Sequence, residues 1–198
     1  PEAIPLSEIR IKKLRSSAYT SAPEMVAART IKDLENCQML VQHPHPKVIP
    51  YLGCLVEDCR VTGLCFKKPS KTLMEMVNPE MVLKVKFDAS RHPLPNKEKL
   101  LQGWEAGIRH IHSVGHAHND VHPINFIVLD NETPAVIHFD TLTRKGATQY
   151  SRRFAWSDKE VSIASKKRDW DRMQEIRTWL DEGTENKWLF GSLIDQVW

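Results

Sequence analysis

The sequence predicts an α+β fold, and three patterns indicate it. Apolar residues recur every three or four positions over three long segments, 23–42, 96–113 and 164–180, which is typical of amphipathic helices. Two β-rich segments around a short polar turn indicate a hairpin within residues 48–66. Two further short apolar segments within residues 126–139, separated by a turn sequence, indicate a second pair of strands.

The first part of the chain is predicted to contain a strand, a helix and then the hairpin. Ile9 and Ile11 alternate with charged residues, which indicates a short strand. The helix 23–42 carries apolar residues at helical spacing: Met25, Val26, Ile31, Leu34, Met39 and Leu40. Pro44 and Pro46 end this helix because a proline ring removes a backbone donor and disfavours helical geometry in the residue before it.

The second part begins with a short helix near residues 71–77 and continues with the strongest helical pattern of the chain, residues 96–113. The apolar side chains of that helix form one stripe: Leu100, Leu101, Trp104, Ile108 and Ile111. Asn96 is the expected N-cap, because a short amide side chain accepts a hydrogen bond from a free N–H group of the first turn. The strands are predicted at 126–129 and 135–139.

Composition is that of an ordinary globular protein. The chain has 198 residues, of which 41% are hydrophobic and 27% are charged. Its 28 basic residues are nearly matched by 25 acidic ones, so no nucleic-acid partner is expected. No apolar run approaches the length that spans a bilayer, so no membrane partner is expected either. We predict two closely joined lobes, residues 1–66 and 67–198.

The most informative motif is the segment 118–125, which reads His-Asn-Asp-Val-His-Pro-Ile-Asn before an apolar strand. An Asp followed five residues later by an Asn is typical of phosphotransferases, in which the Asp orients an attacking hydroxyl and the Asn holds Mg²⁺. The segment resembles the HRDxxxxN loop of protein kinases and the HGDLHPGN loop of aminoglycoside- and choline-kinase-like enzymes. This resemblance implies catalytic positions at Asp120, Asn125 and His118.

The resemblance extends over roughly residues 24–180. The order of helix, hairpin, linker, long helix, loop, strand pair and helix is that of a protein kinase from its helix αC onward. Residues 45–54 and 136–141 are similar to the HPNIVxYLGC and IIDFDS segments of small divergent kinase-like proteins from filamentous fungi. The resemblance to protein kinases implies a minimal protein-kinase-like fold, with a truncated small lobe (helix plus hairpin) and a shortened, mostly helical large lobe.

One position departs from that pattern. Both families place a metal-binding Asp thirteen residues after the loop Asn, and this chain has His138 there. Mg²⁺ prefers oxygen ligands, whereas imidazole is neutral and softer. Losing about 4 kcal/mol of metal stabilisation slows the chemistry about a thousandfold. We therefore expect an impaired kinase-like protein, a pseudokinase, with no cofactor. The alternative is an active phosphotransferase that uses ATP and Mg²⁺, with Asn125 and Asp140 holding the metal.

Further positions are implied near the two ends of the resemblance. Glu35 aligns with the glutamate of helix αC, and its expected partner is the lysine of a V-A-I-K strand, here Lys12. No glycine precedes Gly53, so the phosphate-binding glycine loop is not found and nucleotide binding there is expected to be lost. Alternatively, residues 8–20 form the family's first strand and a degenerate loop. Asp169 opens the last helix, where the family anchors its catalytic loop.

A zinc-dependent hydrolase is a different interpretation of the same histidines. His116, His118, Asp120 and His122 nearly match the HxHxDH zinc motif of metallo-β-lactamase-type enzymes. In that motif the Asp is followed directly by the last His, whereas Val121 intervenes here. The strands expected before the motif are also missing.

Protein partners are the expected ligands of a pseudokinase, which would act as a scaffold, decoy or regulator. The last residues are rich in large apolar side chains (Trp188, Leu189, Phe190 and Trp198), which either pack on the large lobe or form an interaction surface. A cytoplasmic location is expected. Because the sequence begins with Pro1 rather than Met, a removed leader and secretion stay open as the alternative.

Overall fold

The α+β prediction is confirmed by the computed structural model, which describes residues 4–13, 23–82, 86–129, 132–144, 146–147 and 164–182. These residues form four α-helices and three small sheets, and all paired strands within the sheets are antiparallel. One hydrophobic core joins the sheets and helices. No helix in the described part of the chain is long and apolar enough to cross a membrane.

The first sheet contains the predicted strand and hairpin. Strand β1 (Ile9–Lys13) and strand β2 (Tyr51–Glu57) both pair with strand β3 (Arg60–Lys67), which lies between them. Asp58 and Cys59 connect β2 to β3 with φ angles of 49° and 60°. Positive φ at both central residues of a two-residue turn matches the right-handed twist of the flanking strands, so the hairpin closes tightly.

Helix α1 (Pro23–Gln42) buries a face that is partly polar. Asp33, Asn36, Cys37 and Leu40 are all buried, at helical spacing. Ile31, predicted as part of the apolar stripe, is 56% exposed, so that prediction is wrong. Successive helical residues are rotated by about 100°, so a position two residues before Asp33 points well away from the buried face.

The second sheet lies beneath the loop motif. Strand β4 (Lys71–Thr72) pairs with β6 (Phe126–Val128), which pairs in turn with β7 (Pro134–Val136). Helix α2 (Leu73–Val77) follows β4 directly. Thr72 and Glu75 form a capping box at its start, in which each side chain accepts a hydrogen bond from the other residue's backbone N–H. A short third pair joins residues 116–117 (β5) to residues 143–144 (β8).

Helix α3 (Lys97–Ser113) is buried along the predicted stripe, and its Trp104 Nε1 donates to the Ile127 carbonyl at 2.9 Å. Asn96 is the N-cap residue, as predicted, but the expected side-chain hydrogen bond is wrong. That residue has a left-handed backbone (φ 53°) and its side chain makes no capping hydrogen bond. Helix stability at this end therefore comes from packing of the apolar stripe rather than from a cap.

Two glycines let α3 approach the rest of the chain closely. A Cβ atom at Gly103 would lie 2.1 Å from Pro134 Cγ, and one at Gly107 would lie 2.4 Å from the Lys47 carbonyl oxygen. That carbonyl accepts a hydrogen bond from Val136 N at 2.9 Å. The backbone of α3 thus packs directly against both β7 and the loop that follows α1.

Helix α4 (Lys166–Glu182) packs on the core through Trp179, whose ring lies 4.2 Å from that of Phe87. Arg177 joins α4 to α3 through Glu98 and Glu105. The large apolar side chains named near the end of the sequence fall outside the described residues: Trp188, Leu189, Phe190 and Trp198.

Candidate functional site

The loop motif folds around a buried Asp–Asn pair. Asn125 Nδ2 donates to the Asp120 carbonyl oxygen at 2.7 Å and to Asp120 Oδ2 at 2.9 Å. A short 3-10 helix (Pro123–Asn125) brings the two residues together, and His122 Nδ1 accepts from Ile124 N at its start. The five-residue spacing therefore produces a single turn in which the amide orients the carboxylate.

Asp169 holds the start of this loop from α4. Its Oδ2 accepts from His118 N and from His112 Nε2, both at 2.7 Å, and its Oδ1 accepts from Asn119 N at 2.8 Å. The Asp169 side chain is fully buried. Three donors around one buried carboxylate fix the backbone from which Asp120 projects.

Asn119 adds a second set of links that the sequence did not indicate. Its backbone is left-handed (φ 64°), a conformation that asparagine tolerates better than most residues. Its Nδ2 donates to the carbonyls of Ala117 and Thr141, and its Oδ1 accepts from Ser165 N. One side chain thus connects the loop, the segment after β7 and the start of α4.

His118 is held by the backbone on both sides of its ring. Nε2 donates to the Ile137 carbonyl at 2.9 Å, and Nδ1 accepts from Asp120 N at 3.3 Å. Burial lowers the pKa of His118, despite the opposing effects of Asp169 and Asp120. The ring is therefore neutral. Its two hydrogen bonds link Asp120 to Ile137, the residue before His138.

The zinc interpretation is wrong, because its histidines do not converge. Both ring nitrogens of His118 are occupied, and Nδ1 of His116 lies 3.0 Å from the Val114 carbonyl. Within the described ranges, no group of three or more His, Cys, Asp or Glu side chains is arranged to hold a metal ion. Val121, which separates Asp120 from His122, breaks the geometry that the zinc motif needs.

His138 reaches into the space between two carboxylates. Its Nε2 lies 2.8 Å from Asp140 Oδ1 and 3.9 Å from Asp120 Oδ2. The side chain of His138 is only 2% exposed, whereas that of Asp140 is 27% exposed. His122 Nε2 lies 3.7 Å from the same Asp120 oxygen. Two imidazoles therefore flank Asp120.

The backbone at His138 is unusual, with a φ of 76°. A left-handed conformation costs a non-glycine residue on the order of 1 kcal/mol and persists where the surroundings impose it. Ile137 N donates to the Asn125 carbonyl on one side of this turn, and Asn36 Nδ2 donates to the Phe139 carbonyl at 2.6 Å on the other. The turn therefore places the imidazole between Asp120 and Asp140.

Lys12 lies in the sheet above this cluster, and its partner differs from the prediction. Its Nζ lies 2.8 Å from Asp33 Oδ2, whereas Glu35 is exposed, so the predicted Lys12–Glu35 pair is wrong. Burial lowers the pKa of Lys12, but the charges of Asp140 and Asp33 outweigh it and leave the pKa above its ordinary value. Asp33 is on the buried face of α1 and Glu35, two residues later, is not.

Asn36 is the other residue of α1 that sequence reasoning missed. Its Nδ2 also donates to the Leu142 carbonyl at 3.2 Å, so α1 is tied to the segment on both sides of Asp140. A signal was present in the sequence. Asp33 and Asn36 fall on one helical face with Cys37 and Leu40, and buried polar side chains on a core-facing stripe indicate specific partners.

The residues around Asp120 do not fit a magnesium ion. Mg²⁺ demands near-octahedral oxygen coordination. Asn125 Oδ1 is buried without a hydrogen-bond partner among the described residues and would suit such an ion. Asp140, however, is in contact with His138 Nε2, and Asp120 Oδ2 accepts from Asn125 Nδ2. An imidazole nitrogen between the two carboxylates therefore disfavours Mg²⁺ at this point.

No protein-family model matches this chain, and no curated protein matches it. Among solved structures, it is similar to a chain of the yeast RNA Pol II CTD kinase CTDK-1 complex, with 17% sequence identity and a TM-score of 0.52. The similarity covers 73% of this chain and 42% of that one. The fold is kinase-like. At this identity the likeness shows the fold alone, and the minimal kinase-like architecture predicted from the motifs is confirmed.

The kinase-like chain spans less than half the length of the structure that it matches. Within the kinase-like fold, the structure brings together Asp120, Asn125, His138 and Asp140, with Asp169 holding the loop beneath them. Lys12 lies close enough to Asp140 for the carboxylate to raise its pKa. Glu35 lies on the exposed side of α1.

Proposed function

We propose that this protein is a catalytically impaired kinase-like protein, a pseudokinase that acts through protein partners as a regulator, scaffold or decoy. The observation that carries the proposal is the position of His138, whose Nε2 lies between Asp120 and Asp140. A kinase needs a hard cation at this point to neutralise the phosphates. The imidazole contacts the carboxylates that such a cation would need.

The loop geometry supports a retained fold rather than retained chemistry. Asp120, Asn125 and Asp169 have buried hydrogen bonds, and these bonds hold the loop whether or not a nucleotide binds. Exposed apolar side chains are the positions at which partner contacts would first be sought. Ile31 and Val41 on α1 are 56% and 55% exposed, and Val56 on β2 is 59% exposed. The resemblance to divergent fungal kinase-like proteins is part of this proposal.

An active compact phosphotransferase is the second candidate. It is favoured by the Asp120–Asn125 pair and by the buried Lys12–Asp33 pair, which preserves a lysine next to an acidic residue of α1. In such an enzyme Asp120 would accept the proton of an attacking hydroxyl, with ATP and Mg²⁺ as cofactors.

Phosphoryl transfer from radiolabelled ATP separates the two candidates. The purified chain is incubated with ATP and Mg²⁺, alone and with a generic protein substrate, beside the Asp120→Asn variant. The pseudokinase proposal expects the two proteins to give the same background incorporation. Incorporation by the wild-type chain that disappears in Asp120→Asn would overturn it in favour of the enzyme. Circular dichroism of both proteins establishes that the variant is folded.

A further inference from the structure

Two histidine rings stack where the loop after α1 meets α3. The rings of His45 and His110 have centroids 4.6 Å apart and planes inclined by 13°. His45 belongs to the His43-Pro-His-Pro46 segment, and His110 lies in the last turns of α3. The stack is therefore a contact between the loop and the helix, and it includes none of the residues of the Asp120 cluster.

The hydrogen bonds around the stack define the protonation state of each ring. His110 Nε2 lies 2.7 Å from the His43 carbonyl oxygen, which only accepts, so this nitrogen carries a hydrogen. His45 Nδ1 accepts from Lys47 N at 3.2 Å, so this nitrogen carries none. The hydrogen bond from Lys47 N therefore requires a neutral His45 ring with its hydrogen on Nε2.

The same loop supports the strand that leads to His138. The Lys47 carbonyl accepts from Val136 N at 2.9 Å, and Ile49 N donates to the Val136 carbonyl at 3.1 Å. Gly107 of α3 lies against the same Lys47 carbonyl. Val136 is the last residue of β7 and stands two positions before His138. The loop that carries His45 is thus hydrogen-bonded to the strand that precedes His138.

We propose that His45 and His110 form a pH-sensitive clasp that closes loop 43–49 onto α3 at neutral pH and loosens it, together with β7, in acid. A proton on His45 Nδ1 removes the acceptor of the Lys47 N–H group. It also places a cation against the face of the stacked His110 ring. The clasp does not depend on whether the chain is an enzyme or a pseudokinase.

The charges around His45 favour this direction. Burial lowers the pKa of His45, and His110 from α3 and Lys47 from its own loop lower it further. Pro134 and Val136, which β7 contributes near this loop, carry no charge. A histidine with a lowered folded-state pKa stabilises the fold fully above its unfolded pKa of about 6.5, and that contribution is lost as the pH falls through the folded value.

Hydrogen exchange of the full chain at pH 7.5 and 5.5, corrected for intrinsic rates, tests the clasp. The variant is His45→Asn, because the asparagine Oδ1 still accepts from Lys47 N and does not titrate. We expect the wild-type chain to lose more protection than His45→Asn on acidification, by up to about tenfold, in peptides covering residues 43–49 and 134–138. An equal pH response in the two proteins would overturn the proposal.

Two further variants keep this test decisive. His110→Phe preserves a stacked ring without a titratable group, and it should also blunt the acid response if His45→Asn folds poorly. His92→Asn removes a histidine that pairs with Glu80 elsewhere on the surface, and it should retain the wild-type acid response in residues 43–49. Loss of that response in His92→Asn would show that general acid destabilisation, rather than the clasp, is being measured.

Discussion

His138 Nε2 lies 2.8 Å from Asp140 Oδ1, so an imidazole contacts the carboxylate that was expected to hold a metal together with Asn125. The same nitrogen lies 3.9 Å from Asp120 Oδ2. The left-handed backbone of His138 aims the ring at this point, and Asn36 holds the following carbonyl. The local backbone therefore positions His138, which stands where the kinase families have an Asp, against these carboxylates.

Removal of the Asp169 carboxylate should destabilise the whole loop. Asp169→Ala leaves His118 N, Asn119 N and His112 Nε2 without their acceptor in a fully buried place. Breaking such a buried network costs about 3 kcal/mol or more, which corresponds to a fall in Tm of roughly 6 to 12 °C in a domain of this size.

The matched control for that variant is Asp171→Ala on the same helix. Asp171 pairs with Lys167 at the surface, where an ion pair contributes little. Thermal unfolding followed by circular dichroism should show a near-wild-type Tm for the control. A small and equal shift in both variants would mean that Asp169 does not anchor the loop.

Lys12→Met should destabilise the first sheet, because it leaves Asp33 buried without its cation. Removing one partner of a buried pair typically costs about 3 kcal/mol. The double variant Lys12→Met/Asp33→Asn should recover part of the loss, and Lys13→Met, at an exposed position, should be close to neutral. Denaturant titration measures all four proteins, and no recovery in the double variant would contradict the pair.

The same pair has a predicted pH signature. The pKa of Lys12 is raised above its ordinary value by Asp140 and Asp33, which together exceed the effect of burial. Its contribution is therefore complete below the unfolded pKa of about 10.4 and is lost as the pH rises through the higher folded value. The wild-type chain should lose more stability than Lys12→Met above about pH 10.4. If the stability of the two proteins changed in parallel with pH, the result would argue against a raised pKa for Lys12.

Gly107→Ala should disrupt the junction between α3 and the loop after α1. The added Cβ would lie 2.4 Å from the Lys47 backbone carbonyl oxygen and 2.7 Å from the side-chain atom Val136 Cγ2, so both neighbours would have to shift. Overpacking of this kind costs about 1 to 3 kcal/mol. Gln102→Ala, on the exposed side of the same helix, is the control. A variant at Gly107 as stable as this control would show that the junction is loosely packed.

Local patterns predicted the parts of this molecule that depend on local spacing. The turn from Asp120 to Asn125 follows from a five-residue motif, and the helices follow from apolar periodicity. The partner of Lys12 did not follow, because choosing between Asp33 and Glu35 requires knowing which face of α1 is buried. That face carries polar residues, so hydrophobicity alone pointed to Ile31, which is exposed.

The stacked pair shows a further limit of the sequence. His45 and His110 are separated by the hairpin, α2 and most of α3, and only tertiary packing brings their rings together. Likewise, the left-handed backbone of His138 could not be predicted from its residue type, since histidine adopts positive φ more often than most residues but still in a minority of cases. Both features depend on tertiary packing between segments distant in sequence, which a local sequence pattern does not predict.

The most direct test of the central claim is thermal unfolding with ATP, with and without Mg²⁺, for the wild-type chain and His138→Asp. Aspartate restores a third carboxylate and tolerates the left-handed backbone. We expect Mg²⁺ to leave the wild-type Tm unchanged and to raise that of His138→Asp, by about 5 °C or more near saturation. His138→Asn, which adds no charge, should show little effect. Saturable Mg²⁺-dependent stabilisation of the wild-type chain would contradict the account.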